Sequence, residues 1–298
     1  MTRVLKTAVV GLGSMGYGMA LSCLRAGHQV WGVDINPEAV DRLKAEGGEP
    51  GNLPRDLDAV VVVVLNAAQA EAVLFGDEGI VPTLSSGAIV LSCVTVAPEF
   101  ACRMEARCTD HGVHYLDAPI SGGAVKASQG KLTIMASGTA TAFDAAAPVL
   151  DACAETVFTL GATAGPGSAM KAVNQLLAGV HIATMAEALT FGMTQGIAPD
   201  QFLNVISKCA GSSWMLENRA PHVVAGDYSP KSQINIWPKD LGIVLEVASS
   251  VGFDAPIARA ALSQYTAAVE MGLGAEDDAA VTKVYAENAG VTLPNKQD

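Results

Sequence analysis

Positive charge is scarce in this chain. Lys and Arg number 18 against 30 Asp and Glu in 298 residues, a net charge of −12. That excludes a protein that coats duplex nucleic acid or lies on an anionic membrane, since both need a basic surface. Charged residues of either sign make up only 16% of the chain and apolar ones 50%, which excludes wholesale disorder. The six cysteines (Cys23, Cys93, Cys102, Cys108, Cys153 and Cys209) form no C-x-x-C pair. They read as buried thiols in a reducing compartment, not as a disulfide or metal framework. MTRVLKTAVV runs straight into GLG and reads as a strand rather than an export signal, so none is expected. The longest apolar stretch, near Leu57–Leu65, falls short of the ~20 residues that a bilayer span takes. The expectation is a cytoplasmic protein with no nucleic-acid or membrane partner. At ~150 residues per domain, the length suits two domains.

What is present is an alternation of strands and helices. Val4–Val10 is a β-branched run that leads into a glycine-rich turn and a helix through Met19–Ala26, which Gly27 ends. Gln29–Val33 is the next strand, and Asn36-Pro37 opens another helix. Ala59–Leu65, with five consecutive valines, reads as a strand buried on both faces, as in a parallel sheet. Ile89–Ser92, Val113–Leu116, Leu132–Ala136 and Thr156–Leu160 are further strand candidates. This pattern predicts a doubly wound α/β domain over residues 1–164. The turn-rich segment GATAGPG then marks a boundary at 161–167. Beyond it, Ser168 to about Gln195 reads as one long helix, apolar on most sides. The rest, from Asp200–Ile206 to Ala279–Asn288, is helical in period, predicting an all-α domain over 165–298. A helix apolar on most sides needs covering on most sides, which predicts a homodimer or homotetramer.

Gly11-Leu12-Gly13-Ser14-Met15-Gly16 is a G-x-G-x-x-G turn set between the first strand and the first helix. Gly11 permits the tight turn, Gly13 lets a pyrophosphate approach the backbone, and Gly16 lets helix and sheet pack closely. The helix N-terminus adds unpaired N–H groups and a positive dipole end. Asp34 lies 23 positions after Gly11, at the end of the second strand. A carboxylate there accepts from ribose hydroxyls and repels a 2′-phosphate. With no arginine in Asp34-Ile35-Asn36-Pro37, NAD is favoured over NADP.

Four motifs then carry a family resemblance: GLGSMGYGMA at 11–20, DAPISGG at 117–123, G-x-G-x-x-x-K at 165–171 and KDLG at 239–242. Together they resemble the β-hydroxyacid dehydrogenase family, which includes 3-hydroxyisobutyrate dehydrogenases, tartronate semialdehyde reductases and, more distantly, 6-phosphogluconate dehydrogenases. LNAAQAEAVLFG (65–76), SGGAVKASQGKLTIMASG (121–138), QLLAGVHIA (175–183) and AGSSWMLENRAPHVVAGDYSP (210–230) look most like the branch acting on a four-carbon sugar acid. The resemblance implies a Rossmann domain, a C-terminal all-α domain and an active site in the cleft between them. It assigns the catalytic acid/base to Lys171, the substrate carboxylate and a neighbouring hydroxyl to Ser121, Gly122 and Gly123, and the nicotinamide end of the cofactor to Leu65, Asn66, Thr95 and Lys239.

The residue types make independent sense of that chemistry. Oxidising an alcohol needs a base for the hydroxyl proton as hydride leaves. A lysine near its reference pKa of ~10.4 is a poor base, but burial or a second cation lowers that value. Asn174 and Gln175 follow Lys171 at i+3 and i+4, which puts three polar side chains on one helical face. They complete the expected substrate set. Blander readings stand beside these: a lysine solvating a helix end, a plain Gly-Gly turn, and a capped helix start with exposed charges at Lys239-Asp240. Departures from the family bear on the pocket more than on the reaction. Its usual asparagine four residues after the lysine is Gln175 here, a Lys-x-x-Asn-Gln pattern that also resembles tartronate semialdehyde reductases. Val94 replaces a frequent serine, and Asn66 stands where proline is common.

Several residues are set aside. His111 and His114 are separated by Gly112 and a strand start, so no metal site is expected. His181 and His222 read as satisfied structural histidines, and Glu276-Asp277-Asp278 as a solvated acidic helix start. Trp214 either lines the substrate cleft or packs in a core. The expected activity is NAD-dependent oxidation of a small hydroxy acid. The competing reading outside enzymology is a catalytically silent NAD sensor, which needs only the Gly11–Gly16 turn and Asp34.

Overall fold

β-Branched runs with no alternation of polar residues need both faces covered, and the first half of the chain supplies that cover with helices. In the computed structural model, which describes residues 3–49 and 53–296, β1 (Lys6–Val10), β2 (Gln29–Val33), β3 (Ala59–Val62), β4 (Ile89–Ser92) and β5 (His114–Asp117) form one sheet. All its pairings are parallel and its order is β2-β1-β3-β4-β5. Met1 and Thr2, part of the opening segment read as a strand, lie outside the described residues. The helices α1 (Ser14–Arg25), α2 (Pro37–Ala45), α3 (Ala67–Phe75) and α4 (Pro98–Asp110) make the crossovers. Strand alternation sorts the core into two layers. Val9 and Val61 pack with Met19 and Cys23 of α1, whereas Ala8, Val10, Val60 and Val62 pack with Leu74 of α3 and Met104 of α4.

The sheet ends earlier than the valine run suggests. Val63 still donates to Val10 O at 2.8 Å, but Leu65 and Asn66 belong to the cap of α3. Asn66 accepts from Gln69 N at 2.9 Å, and Gln69 accepts from Leu65 N at 2.9 Å. The later strand candidates build a second sheet. β6 (Ile120–Ser121), too short to be legible, pairs antiparallel with β7 (Leu132–Ala136), which pairs in parallel with β8 (Ala154–Thr159). The connections are α5 (Gly123–Gln129) and α6 (Ala140–Cys153), and Ala142, Ala146 and Val149 of α6 join the α1 layer.

The chain divides into two compact units, Met1–Lys171 and Ala172–Asp298, and the long helix α7 (Pro166–Thr194) runs from one into the other. The second unit is helical: α8 (Pro199–Ile206), α9 (Trp214–Ala225), α10 (Ile236–Ser250), α11 (Pro256–Glu270), a short 3-10 turn at Asp278–Val281, and α12 (Thr282–Ala289). Its core sets Ile182, Met185 and Leu189 of α7 against Phe202, Leu216, Trp237 and Tyr265. Gly179 allows the closest approach. A Cβ there would stand 3.0 Å from the Trp237 ring and from Leu241, and Gly179 O accepts from Tyr265 Oη at 2.8 Å.

Three expectations are corrected here, and of the two readings of Trp214 the packed one falls. Among the described residues, α7 alone is long and apolar enough to cross a membrane by length and composition. Its few polar residues are scattered among Leu, Ile, Val, Ala and Met, so the average over a span-length window stays apolar although no run is uninterrupted. Cys102 and Cys209 are exposed, unlike the other four thiols, one in α4 with its Sγ donating to Ala164 O at 3.1 Å and one in the turn after α8. Trp214 does not pack: it opens α9 with 62% of its surface exposed. Asp277 and Asp278 are fully buried instead of solvated. Asp278 accepts from Arg219 and from Trp237 Nε1 at 3.0 Å, while Asp277 meets His222 Nδ1 at 2.7 Å and accepts from Lys231 N at 3.0 Å. Lys231 Nζ reaches His222 Nε2 at 2.9 Å, so His222 is a satisfied structural histidine.

Burial pushes both carboxyls up. For Asp277 the hydrogen bonds from His222 and from the N–H groups of Lys231 and Ala279 outweigh it, leaving a net lowering; for Asp278 burial prevails over Arg219. The stability due to Asp277 is therefore complete above the ordinary carboxyl value and is lost as pH falls through its lowered folded value. Removing Asp278 strands a buried guanidinium. Asp278→Ala is expected to cost about 3–5 kcal/mol in urea unfolding at neutral pH, and a loss under about 1 kcal/mol contradicts the assignment of this carboxylate as a core anchor.

Candidate active site

The glycine turn owes its shape to close backbone contacts. Gly11 has φ +92°, and a Cβ on it would stand 2.6 Å from Val63 O. A Cβ on Gly16 would fall 1.8 Å from Gly11 O, so only glycine closes this turn. Gly13 differs: it is exposed, no atom lies within 4 Å of its would-be Cβ, and it caps α1 without a side-chain hydrogen bond. Ser14 is exposed beside it and Met15 is half-buried. The first N–H groups of α1 are thus left for an anion. Asp34 is tied into the turn, accepting from Leu12 N at 2.6 Å and from Asn36 N at 2.8 Å. A bare backbone cradle with a carboxylate at its edge fits the pyrophosphate and ribose of a dinucleotide.

A second group forms around Asp117, at the end of β5 and 1% exposed. Its Oδ2 accepts from Gly165 N at 3.0 Å, Ser168 N at 2.8 Å and Ser137 Oγ at 3.3 Å, and its Oδ1 from Ser168 Oγ at 2.7 Å. Burial pushes this carboxyl up, against the downward pull of those donors. Gly167 fits beneath it because a Cβ would come within 2.5 Å of Met135 O and 2.8 Å of Asp117 O. The start of α7 is thereby fastened to β5, and Lys171, 9% exposed, reaches Ile120 O at 2.9 Å. Ser121 follows at the end of β6, then Gly122 and Gly123 with φ +135° and +77°, conformations that favour glycine.

A third group lies in the helical unit. Asn174 Nδ2 donates to Gln175 Oε1 at 2.9 Å, Gln175 Nε2 donates to Asp240 Oδ2, and Asp240 Oδ1 is 2.6 Å from Lys239 Nζ. Asp240 is 3% exposed, which replaces the picture of exposed charges at a helix start. Thr95 is half-buried between β4 and α4, Leu65 is 55% exposed, and Asn66 spends its oxygen on the α3 cap. Sequence reasoning gave no role to Asp117 and Asp240. The readable signals were an acidic residue closing a strand next to Pro119, and one on a helix turn beside Lys239.

Residues 6–161 match the family model described as the NAD-binding domain of 6-phosphogluconate dehydrogenase. Residues 165–285 match the one described as the NAD-binding domain of NADP-dependent 3-hydroxyisobutyrate dehydrogenase. The chain belongs to the β-hydroxyacid dehydrogenase family. As a member it is an oxidoreductase acting on the CH–OH group of a hydroxy acid, with NAD as cofactor. Similar relatives are the L-threonate dehydrogenases of Haemophilus influenzae, 47% identical over 97% of each chain, and of Pectobacterium atrosepticum, 45% identical over 98% of this chain and 96% of the other. Among solved structures, a 3-hydroxyisobutyrate dehydrogenase from Salmonella typhimurium is 45% identical, with TM-score 0.89 over 94% of this chain and 99% of the other.

The contrast between Gly13 and Gly16 yields a prediction. Gly13→Ala, at φ −65° in open space, is expected to melt like the wild type yet bind NAD at least about tenfold more weakly, because its methyl occupies pyrophosphate space. Gly16→Ala is expected to lose stability itself. Unaltered NAD affinity in a folded Gly13→Ala protein contradicts the cradle.

Proposed function

We propose that this β-hydroxyacid dehydrogenase oxidises L-threonate to its 2-oxo acid. The reading is carried by identity of 45–47% over nearly the full chain to L-threonate dehydrogenases. NAD, when bound, would supply the hydride acceptor. Lys171, 9% exposed, takes the hydroxyl proton in oxidation and returns it in reduction. Ser121, Gly122 and Gly123 hold the carboxylate and a neighbouring hydroxyl with the serine side chain and backbone N–H groups. Asn174 supplies the amide part of the substrate set, with Gln175 packed beside it as its hydrogen-bond partner. Gly11, Leu12, Gly13, Ser14, Met15 and Gly16 hold the pyrophosphate, Asp34 the adenosine ribose, and Leu65, Asn66, Thr95 and Lys239 the nicotinamide end.

A second reading is 3-hydroxyisobutyrate oxidation, favoured by the Salmonella typhimurium structure of equal identity. Tartronate semialdehyde reduction uses the same residues, and the Lys171-x-x-Asn174-Gln175 pattern favours it. The compartment we propose is the cytoplasm, and the assembly a homodimer or homotetramer. Exposed Val173, Leu177 and Phe191 on α7 support the assembly, since apolar side chains spaced along one helix want cover.

The test is NADH formation from L-threonate, D-threonate, D-erythronate, D-glycerate and 3-hydroxyisobutyrate, with NAD and with NADP, in wild type and Lys171→Ala. One preferred sugar acid, NAD preference and a loss of at least about 100-fold in the variant are expected. Activity retained in Lys171→Ala sinks the assignment of the base. Silence across the panel with NAD still bound favours the sensor. A monomer in sedimentation velocity rules out the assembly.

A further inference from the structure

Gln175, Asn174 and Asp240 form a chain whose polarity is set from one end. Asp240 is a buried carboxylate ion-paired through Oδ1 with Lys239, and an ionised carboxylate only accepts hydrogen bonds. Gln175, 8% exposed and facing Asp240 Oδ2, must therefore present its NH2 to it. Its Oε1 then points the other way, where it accepts from Asn174 Nδ2 at 2.9 Å. Asn174 in turn has its orientation chosen. One N–H is used, and among the described residues no internal hydrogen bond takes up its Oδ1. Asn174 is half-buried, and its oxygen is not among the buried unpaired atoms. Gln175 is engaged at both ends of its amide and has little left for a ligand. The two neighbouring amides thus divide their work.

We propose that Asp240 is a positioning residue that acts through Gln175 to hold the Asn174 carboxamide with its oxygen outward, as the acceptor for a substrate hydroxyl other than the one oxidised. Resting on the site proposed above, this deepens it: Asn174 is the specificity-determining amide, and Gln175 is its support. A hydroxyl donates to a carboxamide oxygen; a methyl or hydrogen in its place leaves that oxygen desolvated and unpaired. The arrangement therefore selects polyhydroxylated acids over deoxy acids of the same length. Without the carboxylate, the Gln175 and Asn174 amides can turn over, and the outward group becomes oxygen or NH2 indifferently.

The test compares L-threonate with 2-hydroxybutanoate of matching configuration, which keeps the carboxylate and reacting carbinol but lacks the further hydroxyls. Where its turnover is slow, its Ki against L-threonate replaces kcat/KM. Asp240→Asn and Gln175→Met are both close to isosteric. Each is expected to lower kcat/KM for L-threonate roughly tenfold, mainly through KM, and to leave the deoxy acid within about twofold; Gln175→Met, which keeps the Asp240–Lys239 pair, is also expected to leave NAD affinity unchanged. The double variant is expected to be no worse than either single one, as for residues in one chain of contacts. Should Asp240→Asn fail to fold, Gln175→Met, which leaves the Asp240–Lys239 pair in place, carries the test. Equal losses on both substrates, or losses that multiply in the double variant, overturn the relay. Asn174→Ala separates the two levels. If it loses the selectivity while Asp240→Asn and Gln175→Met keep it, the relay is wrong and the site reading survives. If it changes neither turnover nor selectivity, or if no hydroxy acid reacts at all, the site reading falls and the relay with it.

Discussion

One buried carboxylate organises the chemistry of the first unit. Asp117 closes β5 and collects donors from Gly165, Ser168 and Ser137, so the end of a sheet strand and the start of a 29-residue helix are held by the same two oxygens. A burial of this kind is costly unless every lone pair is used, and here the donors come from the backbone as well as from hydroxyls. The consequence lies one turn further on. With α7 fastened at Ser168, Lys171 meets the carbonyl of Ile120, next to Ser121 and the two glycines. Lysine and serine–glycine segment are thus brought together by a clamp in which neither takes part.

The helical unit repeats the device with different side chains. Asp278 gathers Arg219 and Trp237, Asp277 gathers His222 and the Lys231 backbone, and Asp240 gathers Gln175 and Lys239. A chain with an excess of acid thereby places several carboxylates inside, each with donors from another segment. The first two pairs anchor the 3-10 turn against α9 and α10. The third lies between α7 and α10 and has its polar ends pointed at neighbouring amides, which makes it a different kind of feature: it specifies an orientation as well as a packing.

How much of this was legible in the sequence follows from the range of the interactions. The G-x-G-x-x-G turn, Asp34 and the parallel strands depend on local spacing and on runs of Val, so β2, β4 and β7 appear in the structure with the bounds read from sequence. β6 was not legible because two residues carry no period. The end of the valine run was misread because Gln69 takes Leu65 into a helix cap, a side-chain event that hydrophobicity does not report. Asp277 and Asp278 were misread for a related reason. In sequence they form an acidic run, and only Arg219, His222 and Trp237, tens of residues away, make them core. Asp117 shows the same limit, since three of its donors lie 48 to 51 positions downstream.

Reaction type and substrate choice are encoded at different levels here. In the proposed function, the reaction depends on a backbone cradle for a dinucleotide and on Lys171, whose position is fixed by a carboxylate clamp. Both need particular residue types at particular spacings, so both survive in a motif. Substrate choice, on the same proposal, depends on where amide oxygens and N–H groups point, and the letters Asn and Gln leave that open. Relatives of equal identity that carry different substrate names are the natural outcome. Orientation is settled only where a group that can do nothing but accept sits at one end of the chain, and Asp240 is such a group. On the proposed reading, the step from dehydrogenase to a particular hydroxy acid is therefore a question about the environment of two adjacent carboxamides more than about Lys171.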